Sequence, residues 1–158
     1  MQVSIIPAED GHFAALIAGT PLPGLGVAEG GIEAPDVLAM LRDLAATIRP
    51  QFAPAAWLIV HDFKIVGLCS LVAPPETGTI HIGYGIAASR RRLGFASTGV
   101  QAVVAWARQD ARVRLVAAET AVDNLPSQHV LEHCGFTRTG TRIDDEDGAL
   151  ICWSLGVA

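Results

Sequence analysis

In the first third of the chain, the pattern of hydrophobic and polar residues is typical of a strand in one segment and of helices in others. VSII predicts a short strand, and AEDGHFAALIAG predicts a helix with acids near its start and Gly19 near its end. Residues 20–35 concentrate Pro and Gly and predict a loop that is long for a compact domain. In DVLAMLRDLAATI, apolar residues recur at the helical period before Pro50. This part therefore predicts a strand and two helices.

The patterns after residue 54 predict mostly strands. AAWLIVH, IVGLCSLVA and TIHIGYGIA predict a three-stranded meander. GFASTGVQAVVAWARQD predicts a helix, VRLVAAET a strand, and NLPSQHVLEHCGF a helix that Asn124 would cap and Gly135 would end. FTRTGTRIDDEDGALICWSL predicts a hairpin around an acidic Asp-Gly turn. The order of elements predicts one α/β domain (α+β) over residues 1–158, built around one mixed sheet.

Composition narrows the class of protein. A chain of 158 residues that is 51% hydrophobic suits one domain with a sizeable core. With 16 acids, 11 bases and a net charge of -5, we expect no nucleic-acid or membrane partner. The three cysteines include no CxxC pair, so neither a disulfide framework nor a metal site is indicated. The start lacks the pattern of a signal peptide, and we expect a soluble, cytoplasmic protein.

One local feature runs against the net negative charge: Arg90, Arg91 and Arg92 directly precede a predicted helix that begins near Gly94. The first turn of a helix offers unpaired N–H groups and a positive dipole end, and a glycine there lets a ligand approach the backbone closely. The segment predicts a phosphate or pyrophosphate site, with a solvated arginine loop as the alternative. GYGIAA matches G-x-G-x-x-A but lies within a predicted strand, which argues against a dinucleotide-binding turn.

The same residues carry a resemblance to a known family. Arg91-x-x-Gly94-x-Ala96 matches the R/Q-x-x-G-x-G/A signature of the GNAT superfamily of N-acetyltransferases, which the chain resembles from Ile80 to about Gly140. With DNLPSQHVLEHCGF downstream, it is similar to the RimJ/RimL-like branch. The resemblance implies a mostly antiparallel sheet flanked by helices and splayed at the acetyl-CoA site. It also implies acetyl-CoA as co-substrate, direct transfer to a small-molecule amine or a protein N-terminus, and a monomer or homodimer.

The resemblance further implies which residues bind acetyl-CoA. Backbone amides of the signature turn would hold the pyrophosphate, helped by the hydroxyl of Ser97, and pantetheine would pair with the strand edge before the turn. A free N–H of Gly85 or Ile86 would polarise the thioester carbonyl. Asn124 matches an asparagine that lies near the cofactor in relatives. The implied binding residues are Tyr84, Gly85, Ile86, Arg91, Arg92, Leu93, Gly94, Phe95, Ala96, Ser97 and Asn124.

Three side chains are candidates for proton transfer, because the amine must lose a proton and the thiolate must gain one. His81 stands where many relatives carry a glutamate base, and Glu119 is its rival. A histidine satisfied on a strand face and a carboxylate paired with an arginine or a turn are the respective alternatives. Ser127 matches a serine of the RimJ/RimL-like branch and is the candidate acid, or else a helix cap. Leu131 replaces the tyrosine acid of other relatives, and the sole tyrosine, Tyr84, lies in a different element.

Acceptor selection is expected to fall to the 20–35 loop and the final hairpin, which flank the acetyl site in relatives. The acidic run at 144–147 would attract a cationic amine or would form a solvated turn. Because the family's tyrosine and glutamate are both replaced, a non-catalytic acyl-CoA-binding module is the alternative to an enzyme.

Overall fold

A computed structural model describes residues 2–158, and the predicted strands and helices are present in it with shifts of a few residues at their ends. The strands are β1 (Ser4–Pro7), β2 (Gly26–Val27), β3 (Ala56–His61), β4 (Lys64–Leu71), β5 (Thr79–Ile86), β6 (Leu115–Ala121), β7 (Thr137–Asp144) and β8 (Gly148–Gly156). The helices are α1 (Asp10–Ala18), α2 (Pro35–Ile48), α3 (Phe95–Arg108) and α4 (Leu125–His133), and a 3₁₀ helix covers Ala88–Arg90.

The strands form one mixed sheet in the order β1-β3-β4-β5-β6-β8-β7. Neighbours along this path are antiparallel except β5 and β6, which run parallel. The sheet is therefore mostly antiparallel and flanked by helices, as the resemblance implies. No helix within residues 2–158 is long and apolar enough to cross a membrane.

The 20–35 segment differs from the prediction of a continuous loop. Its residues Gly26 and Val27 form β2, which pairs in parallel with Lys64 and Ile65 at the start of β4. Strand β5 pairs with β4 only from Gly67 onward, so the preceding edge of β4 is open to another strand. A two-residue strand has no hydrophobic alternation to reveal it in the sequence, and it forms because this edge needs a hydrogen-bonding partner.

Strands β5 and β6 pair over only half of their length. Thr79–Ile82 is in register with Leu115–Ala118, after which the two strands separate. The end of β5, residues 83–86, pairs only with β4, whereas the end of β6, residues 119–121, pairs only with β8. This splay leaves a gap in the sheet beside the second half of β5, which we call the β5–β6 gap.

The two faces of the sheet at β4 and β5 carry different helices. Helix α3 covers one face, where the rings of Trp57 and Trp106 lie 5.0 Å apart at their centroids. Helix α2 covers the other face, where Val37 and Leu41 lie over Leu68 of β4. Side chains of successive strand residues point to opposite faces, so β5 contributes to both.

Gly67 lets β4 and β5 lie close together at the start of the gap. A Cβ atom on Gly67 would meet the Gly85 carbonyl and would lie 2.7 Å from Cδ1 of Ile86. Real Cβ atoms do not make such contacts, so a larger residue would push β5 away. The position of the end of β5 thus depends on a glycine in the neighbouring strand.

Candidate active site

A cleft of about 620 Å³ opens at the β5–β6 gap on the face that α3 and α4 cover. It is lined by the end of β5, the turn after it and the first turns of α3 and α4: Tyr84, Gly85, Ile86, Arg90, Arg91, Arg92, Gly94, Phe95, Ala96, Ser97, Asn124, Pro126, Ser127 and Val130. Of the residues predicted to bind acetyl-CoA, the structure brings together all except Leu93, whose side chain is 56% exposed outside the cleft lining. Pro126 and Val130 were missed, because apolar residues on a short helix resemble core positions.

The signature turn reaches α3 through two residues with left-handed backbone. Arg92 has φ of 64° and Gly94 has φ of 85°. Gly94 is the N-cap of α3, and no side chain caps that end of the helix. The N–H groups of the first turn are therefore available to an anion in the cleft, and the helix dipole favours negative charge there.

The three arginines of the turn are not equivalent. Arg90 donates to Glu29 at 2.6 Å, and Glu29 also pairs with Lys64 at 3.1 Å. A hydrogen bond from its own backbone N–H, followed by the bond from Arg90, lowers the pKa of Glu29 to about 2. These contacts attach the 20–35 segment to the turn. Within residues 2–158, Arg91 and Arg92 have no carboxylate partner and remain available to a ligand.

The hydrogen bonds of β5 show which of the two predicted donors, Gly85 or Ile86, directs its N–H into the β5–β6 gap. The Ala87 N–H donates to the Val66 carbonyl at 2.8 Å, so this residue faces β4. Backbone groups of successive strand residues point to alternate sides, so the N–H of Ile86 faces the β5–β6 gap and that of Gly85 faces β4. Gly85 is therefore wrong as the source of this N–H, although it lines the cleft.

Tyr84 lies in β5 and not in α4, as expected, but its side chain reaches α4 across the gap. Its hydroxyl lies 2.9 Å from Oγ of Ser127 and 3.2 Å from the Ser127 carbonyl oxygen. Burial raises the pKa of Tyr84 to about 12, which keeps the hydroxyl protonated. The Ser127 N–H donates to the Asn124 side chain at 3.2 Å, so Asn124 is the predicted N-cap and also lines the cleft. The splay explains the contact, because β6 does not cover Tyr84.

His81 and Glu119 lie on the opposite face of the sheet from Ser127, beside a shallow groove over β6 and β8. Arg142 donates from Nη2 to Oε1 of Glu119 at 2.8 Å and also contacts Oε2 through Nε. This pair is the main cause that lowers the pKa of Glu119 below its ordinary value, and it makes the carboxylate a weaker proton acceptor. The structure thus shows the arginine pairing that was the alternative for Glu119. The half-buried His81 has no comparable acidic partner among the described residues.

The acidic run of the final hairpin forms a hydrogen-bonded turn. The Asp144 carboxylate accepts from the N–H groups of Glu146 and Asp147 at 3.0 and 2.9 Å, and Arg142 donates to it at 3.3 Å. Backbone N–H groups hold the pKa of Asp144 below its ordinary value. The part of the chain that the structure describes contains no group of three or more His, Cys, Asp or Glu residues arranged to hold a metal ion.

A second cavity, of about 200 Å³, lies on the α2 face of β5, and we call it the α2 pocket. It is lined by Ile32, Glu33, Val37, Leu41, Leu68, Ser70, Val72, Gly83, Tyr84 and Gly85. Tyr84 and Gly85 line both cavities, so the cleft and the pocket meet at the end of β5. Of the four separate segments that form its walls, only the 20–35 loop was expected near the acceptor, because the apolar residues of the others resemble ordinary core.

Comparison with known proteins agrees with this geometry. A family model described as an acetyltransferase (GNAT) domain matches residues 33–137. The uncharacterized N-acetyltransferase YjdG of Bacillus subtilis is 36% identical over 84 residues, 51% of this chain and 50% of that protein. The uncharacterized N-acetyltransferase p20 of Bacillus licheniformis is 24% identical over 115 residues, 72% of this chain and 64% of that protein. The chain thus matches about half of the first relative's length and under two thirds of the second's.

Solved structures share the fold over almost the whole chain. A chimera of the spermidine N-acetyltransferase SpeG from Vibrio cholerae and hSSAT superimposes with a TM-score of 0.74 at 16% identity, covering 99% of this chain and 96% of that one. The aminoglycoside acetyltransferase AAC(6')-Ib in complex with coenzyme A gives a TM-score of 0.71 at 16% identity, covering 98% and 95%. With the splayed sheet, the signature turn and the family match together, this chain belongs to the acetyltransferase (GNAT) domain family.

Proposed function

We propose that the chain is an acetyl-CoA-dependent N-acetyltransferase that transfers an acetyl group directly to a primary amine of a small molecule or a protein N-terminus. The observation that carries the proposal is the cleft, where an uncapped helix end, two unpaired arginines and the free edge of a strand line one cavity. Solved neighbours of the same fold hold coenzyme A or acetyl-CoA. This combination suits a ligand that carries a pyrophosphate at one end and an amide-rich arm at the other.

The residues of the cleft fit acetyl-CoA part by part. The first-turn N–H groups of α3 and the hydroxyl of Ser97 would hold the pyrophosphate, with Arg91 and Arg92 at its rim. The gap-facing edge of β5 would pair with pantetheine. Acetyl-CoA supplies an activated acyl group, whose carbon bonds to the amine nitrogen while the carbon–sulfur bond breaks and sulfur keeps the electron pair.

The chain's own groups would assist this transfer at two atoms. The N–H of Ile86 is directed into the gap and would donate to the acyl oxygen, where negative charge develops. Ser127 would give its hydroxyl proton to the thiolate. Tyr84 would orient the Ser127 hydroxyl and return a proton to it through their hydrogen bond. A tyrosine from β5 would thus do part of the work for which other relatives use a tyrosine on the helix.

In this proposal the acceptor amine loses its proton on the face of the sheet that α2 covers, opposite the acetyl-CoA cleft. We assign the role of proton acceptor to His81, because His81 lies on the same face of the sheet as the α2 pocket. Glu119 is less suited to this role, because its carboxylate is held in an ion pair with Arg142. Glu119 then acts as a positioning residue that holds the hairpin through Arg142. The rival assignment, Glu119 as the base, remains a prediction, and it would be favoured if His81→Ala left thiol release unchanged.

The finer features of the proposal rest on the sequence pattern. The NLPS segment and the signature turn favour the RimJ/RimL-like branch, within one domain over residues 1–158. The free cysteines 69, 134 and 152 suit a reducing cytoplasm. We expect a monomer or homodimer with no metal, nucleic acid or membrane partner.

The test is free-thiol release from acetyl-CoA with a panel of amines and N-terminal peptides, together with direct measurement of acetyl-CoA binding. Amine-dependent release that falls about tenfold in His81→Ala and in Ser127→Ala would support the proposal and both roles. The exposed residues His133 and Ser89 supply matched controls as His133→Ala and Ser89→Ala. Tight acetyl-CoA binding without release for any acceptor would overturn the proposal in favour of a non-catalytic acyl-CoA-binding module.

A further inference from the structure

The α2 pocket is placed to present a ligand to the cleft from the other side of β5. In the register with β4, Gly83 and Gly85 stand opposite Ser70 and Leu68, and all four residues line the pocket. Two glycines leave the β5 backbone uncovered on this face. A group held in the pocket therefore lies against the strand whose other face lines the acetyl-CoA cleft.

The size and walls of the pocket limit what it can hold. Its volume of about 200 Å³ lies below the range of roughly 300–1,000 Å³ that is usual for drug-sized ligands. Five side chains make its surface largely apolar: Ile32, Val37, Leu41, Leu68 and Val72. Such walls suit one short branched aliphatic group and disfavour a second charge.

One carboxylate stands beside this apolar surface. Oε2 of Glu33 lies 3.4 Å from the position that a Cβ atom on Gly85 would occupy. Glu33 forms no ion pair within the described residues, and it is the one acid that lines the pocket. It is placed to receive a single ammonium group next to the point where the pocket meets the cleft.

A buried hydroxyl without a partner provides a second, independent observation. Ser70 is 5% exposed, and its Oγ has no hydrogen-bond partner in the described part of the chain. A buried polar group that lacks a hydrogen-bond partner is destabilising, so such groups are usually satisfied. Because Ser70 lines the pocket, a polar group of a bound molecule is the partner that the site provides for.

From these features we infer that the acceptor is a compact aliphatic monoamine with one hydroxyl group. Glu33 would bind its ammonium group, Ser70 would bind its hydroxyl group, and the apolar walls of the α2 pocket would hold its hydrocarbon part. This inference rests on the proposed acetyltransferase function and narrows its acceptor class. The amine loses a proton to His81, its nitrogen bonds to the acetyl carbon as the carbon–sulfur bond breaks, and the thiolate gains a proton from Ser127 and leaves as coenzyme A. The products are an N-acetyl amine and free coenzyme A.

Four acceptors test the inference: leucinol, which has all three features, isoamylamine, which lacks its hydroxymethyl group, spermidine, and a peptide with N-terminal alanine. We expect kcat/KM for leucinol to exceed that for spermidine and for the peptide at least tenfold. We also expect leucinol to be preferred over isoamylamine. Calorimetry of leucinol with the coenzyme A-saturated protein gives a readout that does not depend on turnover.

Variants assign the preference to residues. Glu33→Gln is expected to raise KM and the dissociation constant for leucinol about tenfold, with acetyl-CoA affinity unchanged. Asp43→Asn removes an exposed carboxylate of the same helix region outside the pocket and serves as its control. Ser70→Ala is expected to abolish the preference for leucinol over isoamylamine, a ratio that general destabilisation does not change. Val37→Phe fills the pocket and is expected to block leucinol while retaining acetyl-CoA binding.

The outcomes separate this inference from the function on which it rests. Thiol release with spermidine or the peptide but little with leucinol would leave the acetyltransferase intact and overturn the pocket assignment. An equal effect of Glu33→Gln and Asp43→Asn, or an unchanged leucinol preference in Ser70→Ala, would do the same. If no acceptor supported thiol release, the proposed function and this inference would both be overturned.

Discussion

The two faces of β5 serve one proposed reaction but differ in how they are built. On the α3 and α4 face, the cleft uses backbone groups, a strained turn and a helix end, and its residues come from two short segments, 84–97 and 124–130. On the α2 face, the pocket uses side chains from a loop, a helix and two strands. The signature turn is continuous in the sequence, whereas the walls of the pocket come together only in the folded chain.

This difference suits the two ligands. The proposed co-substrate presents a pyrophosphate, which backbone N–H groups bind by geometry and charge. An acceptor differs from enzyme to enzyme, and its recognition needs shape and a few polar groups. Within one fold, solved neighbours include a spermidine acetyltransferase chimera and an aminoglycoside acetyltransferase. On the proposal above, the cleft binds the co-substrate through backbone groups and the α2 pocket binds the acceptor through side chains.

The largest effect expected on the cofactor face follows from Gly94→Glu. This change puts a side chain at φ of 85° and a negative charge at the N-terminus of α3. We expect the dissociation constant of acetyl-CoA to rise about 100-fold or more, measured by calorimetry. Gly24→Glu, at φ of 72° in an exposed loop, introduces the same strain and charge elsewhere. Equal loss of binding in both variants would contradict a local anion site.

Gly67→Ala tests the close strand pair that both faces share. The added Cβ would meet the Gly85 carbonyl and Ile86, and overpacking of this kind costs about 1–3 kcal/mol. We expect the free energy of unfolding from urea titration to fall by that amount. Gly140→Ala, at a β7 position with no atom within 4 Å of the added Cβ, is the control. A smaller loss at Gly67 than at Gly140 would show that β5 is free to move.

Tyr84→Phe tests the contact that joins β5 to α4. If Tyr84 and Ser127 act as a unit, we expect about a tenfold fall in kcat for Tyr84→Phe and for Ser127→Ala, and little further fall in the double variant. Free-thiol release at saturating substrate measures kcat. Additive losses would show that the two hydroxyls act separately.

The pKa of Tyr84 predicts how the free energy of unfolding depends on pH. Because burial raises the pKa of Tyr84 to about 12 from 10, the folded state holds this proton more tightly than the unfolded state. The stability it contributes is present below pH 10 and is lost as the pH rises toward 12. We expect Tyr84→Phe to flatten the fall in unfolding free energy over this window, and an unchanged slope would contradict the buried hydroxyl.

The smallest effect is expected on the acceptor face, from Arg142→Gln. The Glu119–Arg142 pair is partly exposed, and such pairs contribute about 0.2–1 kcal/mol. Arg142 lowers the pKa of Glu119, so this contribution is present above the ordinary range of a glutamate and is lost as the pH falls. Urea titration at pH 7 and at low pH should show a difference from wild type only at pH 7. Arg108→Gln on the exposed side of α3 is the control.

Much of the fold was predictable because the signals are local. The meander strands are apolar runs bounded by turn residues, α3 carries a helical hydrophobic period, and α4 lies between a capping asparagine and a glycine stop. Asn124 caps α4 as predicted, since the cap and its N–H donor are three residues apart. The short β2 was missed because its formation depends on the free edge of β4 and not on its own two residues.

By itself, the sequence determined the order of elements other than β2, the signature turn and most residues that line the cleft, because these depend on neighbours along the chain. Only the tertiary structure decided that Ile86 and not Gly85 faces the gap, that Tyr84 reaches Ser127 and that Glu119 is held by Arg142. The Tyr84 contact depends on where β5 and β6 separate, the direction of the Ile86 N–H depends on the register of β5 with β4, and the Glu119–Arg142 pair depends on the registers of β6, β8 and β7. The α2 pocket belongs to the same class, since Glu33 and Ser70 meet only when a loop and a strand 37 positions apart fold onto one face.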